Sequence, residues 1–441
     1  MSDSAEEEVP KPLHKNELLK AQSNFLRGHI LDDLQDTSSG TISEDSAQLT
    51  KFHGIYAQDD RDLRSQRRKE GKEKAYIFMA RIRVPGGVCT PAQWLAMDAI
   101  SDSRANGTLK ITNRQAFQLH GVIKGQLREA IREVNAALLD TLAACGDVNR
   151  NVMCNPNPHV SRLHAETLEI AKAVATHLLP KTSAYHELWV DDTLVAGGEP
   201  AEDEEPILGR TYLPRKFKTV FAIPPSNDVD VYAHDLGFIA IADDKGALEG
   251  FNVTIGGGMG MSFNDIETYP RLADVIGFCR PDQVVEVAEK IVTVQRDFGD
   301  RTDRKHARFK YTVADRGYVW VRHEVERRLG WELGSPRRFE FTDTGDRYGW
   351  TKGPNGDSHF TVFIENGRVK GETKKALREI AHIHKGDFRL TPNQHLVIAS
   401  IAPAERPAIE ALLRQYKLDT AHNATGLRLN AMACVALPTC G

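Results

Sequence analysis

The chain has 441 residues, 41% hydrophobic and 27% charged, and its 57 basic against 61 acidic residues leave a formal net charge of −4. This length accommodates two or three domains with sizeable cores, and the near balance of charge offers no global attraction to nucleic acid or to an anionic membrane, so any anion site has to be built locally. No apolar run approaches the roughly 20 residues of a membrane helix, and the acidic start from Met1 to Glu8 lacks the basic-then-apolar order of a secretory signal; a cytoplasmic protein is expected.

Residues 1–20 are charged and read as a disordered or arm-like segment. Residues 24–70 are rich in charge and short of apolar periodicity, and read as an extended segment wrapped over other elements or as a solvated linker. Tyr76–Val84 alternates as a strand, Pro85 to Val88 is a turn, and Thr90 followed by Pro91 opens a capped helix. Short strands follow at Leu109–Thr112 and Ala116–Val122, then an amphipathic helix over Gln126–Ala144. A polar loop fills 145–160 and a helix spans His164–Leu178. Strand-like runs at Glu187–Val190, Lys218–Ile223, Gly237–Ala242 and Phe251–Ile255 end in the glycine run Gly256 to Gly260. Pro281–Phe298 and Val321–Leu329 are helical, with a basic stretch over residues 301–310 between them.

The pattern of residues 76–144 then returns. His359–Ile364 is a strand, Asn366-Gly367 a turn, Glu372–His384 a helix, Phe388–Leu390 and Leu396–Ser400 strands, and Ala404–Tyr416 a helix. Gly107, Thr112 and Gln115 recur as Gly386, Thr391 and Gln394, each 279 positions later. The order of elements and the shared offset indicate an internal duplication, in which Thr112 to Gln115 and Thr391 to Gln394 are corresponding turns.

The cysteines are Cys89, Cys145, Cys154, Cys279, Cys434 and Cys440. In a cytosolic chain of this size disulfides are not expected, and the four scattered ones read as buried residues. Cys434 and Cys440 lie in the short apolar stretch Met432 to Gly441. Thiolates at such spacing suit soft iron or zinc, but two of them make half of a four-ligand site. Cys145 and Cys154 would complete it, although their nine-residue gap is loose for a ligand pair.

Cations gather in several places. Arg81 and Arg83 are two apart on a predicted strand and so share a face; Lys216 and Lys218 do the same. Arg114 lies in the Thr112 turn, Arg150 in the polar loop, and Arg301, Arg304, Lys305, Arg308 and Lys310 form a further cluster. Singly, each reads as a solvated charge; paired on one face beside glycine turns, they become anion ligands, with arginine suited to carboxylates through its two parallel donors. The glycine run either admits a large flat ligand close to the backbone or is a flexible turn. It does not fit a dinucleotide fingerprint, because no helix opens inside it. His53, His120 and His164 read as structural or surface histidines.

Eight stretches together resemble one family: Leu26 to Leu34, Lys51 to Asp62, Arg81 to Val88, Leu109 to Gly121, Asp147 to Val152, Thr211 to Lys218, Gln295 to Lys305 and Cys434 to Cys440. From about residue 20 onward the chain is similar to the hemoprotein (beta) components of assimilatory NADPH-dependent sulfite reductase. The resemblance implies an α+β fold of duplicated ferredoxin-like sulfite/nitrite reductase repeats plus a siroheme-binding α/β domain. The division expected is an N-terminal arm (1–70), a first repeat (71–145), a siroheme- and substrate-binding domain (146–345), a second repeat (346–420) and the start of a cluster-binding domain (421–441). The family reduces sulfite to sulfide with six electrons at siroheme coupled to a 4Fe-4S cluster, in cysteine biosynthesis, drawing electrons from NADPH through a flavoprotein (alpha) partner. Carried over by motif, Arg83, Arg150, Lys216 and Lys218 surround sulfite. Thr112, Asn113, Arg114, Gln118 and His120 lie against siroheme, and Cys434 and Cys440 are cluster ligands. No nucleic-acid or membrane partner is implied. The family's second cysteine pair, Cys-x-x-x-Cys, falls beyond Gly441, so the expectation is of a fold whose C-terminal part is missing. Ferredoxin-dependent nitrite reduction is the alternative activity, disfavoured by the stretches Tyr56 to Asp62 and Tyr212 to Lys218; a non-catalytic siroheme- or partner-binding fragment is a third reading.

Overall fold

The computed structural model describes residues 11–157, 160–181, 188–190, 193–196, 204–435 and 438–439. The N-terminal stretch forms the short helices α1 (Lys15–Gln22), α2 (Ile30–Gln35) and α3 (Glu44–Leu49), strand β1 (Ile55–Asp59) and helix α4 (Arg64–Lys69). It is built of helical turns rather than extended chain. Lys20 is buried and donates to Leu213 O at 2.9 Å, while Glu17 pairs with both Lys20 and Arg301. These contacts hold part of the supposed arm in place; residues 1–10 lie outside the described residues.

The first repeat runs β2 (Tyr76–Ile82), β3 (Val88–Cys89), α5 (Pro91–Arg104), β4 (Leu109–Ile111), β5 (Phe117–Val122) and α6 (Leu127–Ala136). Helix α5 starts where the sequence signals it: Thr90 Oγ1 accepts from Gln93 N at 3.1 Å and Gln93 Oε1 accepts from Thr90 N at 3.0 Å, a reciprocal cap. Trp94, Met97 and Ile100 form its buried stripe. Helix α6 stops eight residues short of the expected end. Leu138 takes a positive φ of 57°, and the apolar residues Leu139, Leu142, Ala143 and Ala144 are buried in turns rather than on a helix face.

A mixed sheet follows. Its strands are β6 (Met153–Cys154), then, after α7 (Arg162–His177) and the hairpin β7 (Leu188–Val190) and β8 (Thr193–Ala196), β9 (Thr219–Ala222), β10 (Leu236–Ala242), β11 (Leu248–Ile255) and β12 (Asp274–Cys279). Their order is β12-β11-β10-β9-β6, with β9 parallel to both neighbours. Residues of α7, of α8 (Val284–Phe298), α9 (Phe309–Arg316) and α10 (Tyr318–Leu329) share one core with the sheet, which includes Phe221 stacked on Phe238 at 4.8 Å. The second repeat runs β13 (Gly349–Lys352), β14 (Ser358–Val362), β15 (Arg368–Val369), α11 (Gly371–Ile383), β16 (Asp387–Leu390), β17 (Leu396–Ile401) and α12 (Arg406–Gln415), followed by α13 (Gly426–Leu429).

The two repeats exchange strands. One sheet has the order β1-β2-β5-β4-β15 and the other β13-β14-β17-β16-β3. Val369 pairs with Leu109, and Cys89 with Phe388. The halves therefore share one core, in which Trp94 of the first lies 5.0 Å from the ring of Phe388 of the second. The crossing points are tight. A Cβ at Gly87 would sit 2.7 Å from Leu390 O and 2.9 Å from the Gln115 amide; one at Gly367 would sit 2.3 Å from Ile111 O and 2.9 Å from Gln394 Cβ. Leu390 and Gln394 stand 279 positions after Ile111 and Gln115, so the two contacts are equivalents. Both glycines have positive φ, 75° and 63°. Helix α11 has 13 residues against 14 in α5, which accounts for an offset of 280 before the helix and 279 after it.

Replacing Gly87 or Gly367 with Ala adds a backbone collision to the strain of a positive φ and is expected to cost about 2 kcal/mol or more. Gly71→Ala is the control: φ is 64° but no atom lies within 4 Å of the new Cβ, so a loss of about 1 kcal/mol is expected. Urea unfolding midpoints of the three variants check the difference.

Candidate functional site

The site lies where the first repeat meets the mixed sheet. The Thr112 turn is self-capped: Thr112 Oγ1 accepts from Arg114 N at 3.2 Å and Ala116 N at 3.3 Å. This leaves Asn113 exposed and sends Arg114 across to the mixed sheet. There its guanidinium donates to Thr219 O at 3.0 Å and touches Met153 Sδ at 3.2 Å, while Nε is buried without a partner among the described residues. In the second repeat the equivalent turn is engaged differently, with Thr391 Oγ1 donating to Asp346 Oδ2 at 2.6 Å and Asn393 Nδ2 to Asp346 Oδ1 at 3.0 Å.

Strand pairing brings Arg81 of β2 opposite Gln118 of β5. With its amide oxygen toward Arg81, Gln118 accepts from Arg81 Nε at 3.1 Å and Nη2 at 2.6 Å, and its nitrogen donates to His120 Nε2 at 3.3 Å. Burial first, and then the cations Arg81, Arg368 and Lys110, push His120 down to about 4, so the imidazole is neutral at physiological pH. Its Nε2 then accepts and Nδ1 carries the proton.

Lys216 and Lys218 are presented together because Phe217 between them is fully buried. Phe217 N donates to Val148 O at 3.1 Å and Phe217 O accepts from Arg150 N at 2.9 Å, which sets Arg150 alongside the two lysines. Arg150 is itself fixed, its Nε donating to Gly146 O at 2.9 Å. Neither lysine's ammonium group makes a hydrogen bond or salt bridge among the described residues. Burial, then neighbouring cations that include Arg150, Arg114 and Arg308, lowers Lys216 to about 8 and Lys218 to about 7. The carboxylate that bears on both is Asp235, already clasped by Arg308 at 2.9 and 3.1 Å. Thus Arg81, Arg114, Arg150, Lys216 and Lys218 form a cationic cluster with too few anions of its own.

Arg83 is not brought into this cluster. Strand β2 ends at Ile82, one residue too early for the alternation argument. The backbone N of Arg83 bonds to Asp140 O at 2.7 Å and its buried guanidinium turns to Ala175 O at 3.2 Å. Arg81 faces the cluster instead. The basic stretch is also engaged elsewhere. Arg301 pairs with Glu17, Arg304 with Asp147, Lys305 with Asp265 and Arg308 with Asp235, while Lys310 donates to carbonyls of Gly258 and Gly260. Gly256 to Gly258 of the glycine run serve the chain's own packing. A Cβ at Gly257 would lie 2.1 Å from Tyr232 O and one at Gly258 2.9 Å from Arg308 Nη2.

The segment around Cys434 is anchored between the repeats. Ala433 O accepts from Lys110 Nζ and Gln394 Nε2, each at 2.9 Å, and Val435 O from Arg368 Nη2 at 2.7 Å. Cys434 is exposed; Cys440 lies outside the described residues. Gln394 reads Ala433 O as Gln115 reads Cys154 O at 2.8 Å, and both donors and both acceptors stand 279 apart. The duplication therefore includes the stretches ending at Cys154 and Ala433. The shared Asn-x-Met of Asn151 to Met153 and Asn430 to Met432 was the available signal. Cys145 and Cys154 do not join Cys434. Cys145 is buried against Arg81, Cys154 sits in β6 with burial pushing its thiol up to about 12, and among the described residues no three ligating side chains gather for a metal. A cavity of about 410 Å³ opens elsewhere, between Val275 and Ile276 of β12 and Tyr318 to Glu326 of α10; it holds none of the cluster. No helix among the described residues is long and apolar enough to cross a membrane.

Comparison with known proteins matches this layout. Residues 69–137 and 351–416 each match the Nitrite/Sulfite reductase ferredoxin-like half domain, and 169–333 the Nitrite and sulphite reductase 4Fe-4S domain. The chain is 58% identical over 430 residues to the sulfite reductase [NADPH] hemoprotein beta-component of Geobacillus kaustophilus, covering 96% of this chain and 75% of that protein. It is 56% identical over 436 residues to the same component from Myxococcus xanthus, covering 98% and 77%. Among solved structures, the NirA protein of Mycobacterium tuberculosis superposes with a TM-score of 0.76 at 25% identity, over 98% of this chain and 74% of that one. With the half domain present twice and more than half of its residues shared across nearly its whole length, the chain belongs to the nitrite and sulfite reductase family, among the NADPH-type hemoprotein beta-components.

Proposed function

We propose that the chain is the hemoprotein component of a cytoplasmic, assimilatory sulfite reductase, carrying out the six-electron reduction of sulfite to sulfide for cysteine biosynthesis. Electrons come from NADPH through a flavoprotein partner. The observation that carries this reading is the pair Lys216 and Lys218, desolvated and, among the described residues, without a paired carboxylate of their own, beside Arg81, Arg114 and Arg150. Cations held in this way call for a polyanionic ligand. A tetrapyrrole bearing eight carboxylates fits that need, and it would also meet Nε of Arg114 and Nδ1 of His120, which have no partner among the described residues. Thr112, Asn113, Arg114, Gln118 and His120 would lie against siroheme, and Cys434 and Cys440 would supply two of the thiolates of a 4Fe-4S cluster. When bound, siroheme and cluster supply the iron that takes up the substrate and the electrons that reduce it.

The protein's own groups do the rest. Arg81 and Arg150 bind and orient the oxyanion, with Arg81 in the place that motif matching gave to Arg83. Lys216 and Lys218 hold protons at Nζ and release them to oxygen as it leaves as water; ammonium groups titrating near neutrality are suited to this. The same chemistry accommodates nitrite, so turnover of the two anions has to be compared directly. Sulfite is expected to be the better substrate of the complete enzyme supplied with its flavoprotein, and a preference for nitrite with ferredoxin would overturn the assignment.

Two outcomes check the site. The protein from siroheme-producing cells is expected to show siroheme absorbance and bound iron, both reduced at least tenfold when Arg114→Ala is combined with Lys216→Gln. Binding of sulfite needs both lysines charged; the protein's own groups set their values at about 8 and about 7, a bound anion raises both, and the charge is lost as the pH rises through them. Raising the pH through this window therefore lowers kcat/KM, and Lys218→Arg, which does not titrate there, shifts the alkaline limb upward. Nitrite, whose charge is constant over that range, provides the control profile.

A further inference from the structure

Two of the guanidiniums in the cluster are gripped by one short stretch of chain. Arg150 donates from Nε to Gly146 O at 2.9 Å and from Nη1 to Ala144 O at 3.4 Å, the carbonyls on either side of Cys145. Arg81 donates from Nη1 to Cys145 Sγ itself at 3.1 Å. The stretch cannot drift: Ala143 N bonds to Phe52 O at 2.8 Å, and Gly146, at φ 84°, lies so close to the Phe52 ring that a Cβ there would approach it to 2.9 Å. Cys145 is fully buried.

We propose that residues 144–146 are the bracket that fixes the separation of Arg81 and Arg150, with the Cys145 thiol as a positioning group for Arg81. A guanidinium has five N–H donors. On Arg81, Gln118 takes one on Nε and one on Nη2, and Cys145 takes one on Nη1. The Tyr56 ring lies beneath, 5.8 Å from the guanidinium carbon. One N–H on each terminal nitrogen remains, the pair that receives two oxygens of one anion in parallel. Sulfur is a weak acceptor, so its role is directional: it turns the remaining donors toward the cluster without neutralising the charge. The bracket thereby tunes the affinity for a small oxyanion and leaves the electron-transfer steps unchanged.

This proposal rests on the sulfite-reducing reading, and its test separates the two. The complete holoenzyme with its flavoprotein is prepared as wild type, Cys145→Ala and Cys145→Ser. Siroheme absorbance and sulfite turnover by the wild type test the reading itself. If both are present, Cys145→Ala is expected to raise the KM for sulfite about tenfold, with kcat changed less than about twofold and siroheme absorbance retained. Cys145→Ser, which still offers an acceptor to Arg81, is expected to return KM to within about threefold of wild type. Titration of the siroheme spectrum with sulfite is expected to show the same shift in Kd. An unchanged KM in Cys145→Ala overturns the proposal. So do equal losses of siroheme and kcat in both variants, which would mark the residue as packing alone.

Discussion

Like charges brought together out of water repel one another, and a protein holds them together only if its framework is stiffer than the repulsion. Here the stiffness comes from ordinary backbone pairing. The parallel bridge between Asn149 and Phe217 sets Arg150 beside Lys216 and Lys218, and burial of Phe217 leaves the two ammonium groups no other side to occupy. Arg81 is held by the antiparallel register of β2 and β5, and Arg114 by a capped turn whose hydroxyl is spent on its own backbone. Among the described residues no carboxylate pairs with the lysines, and Asp235, which bears on both, is held by Arg308. The ligand has to neutralise them, which couples its binding to relief of the repulsion.

The exchange of strands between repeats provides the platform. Because β15 completes the first sheet and β3 the second, neither half closes its sheet alone, and Gly87 and Gly367 let the crossing backbones meet. Helices α5 and α11 are tied by a charged lattice in which Lys374 and Arg378 share Asp98 and Asp102. The Cys434 segment then docks on residues from both halves, Lys110 from one and Gln394 and Arg368 from the other, so its position reports on the whole duplicated framework.

Much of this was legible in the sequence, for identifiable reasons. The offset of 279 stood out because Gly107, Thr112 and Gln115 answer to backbone geometry at turns, and such positions tolerate few residues. Lys216 and Lys218 were read to one face because residues two apart on an extended chain point the same way. The same reasoning failed at Arg83, where the strand had already ended at Ile82. It failed again over residues 137–144, where helical spacing of apolar residues came from a folded-back loop. The bracket at Cys145 was invisible because its work is done by carbonyls, which sequence does not display. The basic stretch from Arg301 misled because the carboxylates that pair it, Glu17, Asp147, Asp235 and Asp265, come from distant parts of the chain.

The contrast between the two turns has a wider consequence. At the position of Arg114 the second repeat has Asn393, and Asp346 fills the space in front of it by accepting from both Asn393 and Thr391. A gene doubled end to end begins with two equal mouths. In this molecule the donors of the second turn are taken by an acidic residue from the segment that joins the halves, so the doubled scaffold is not doubled in its chemistry.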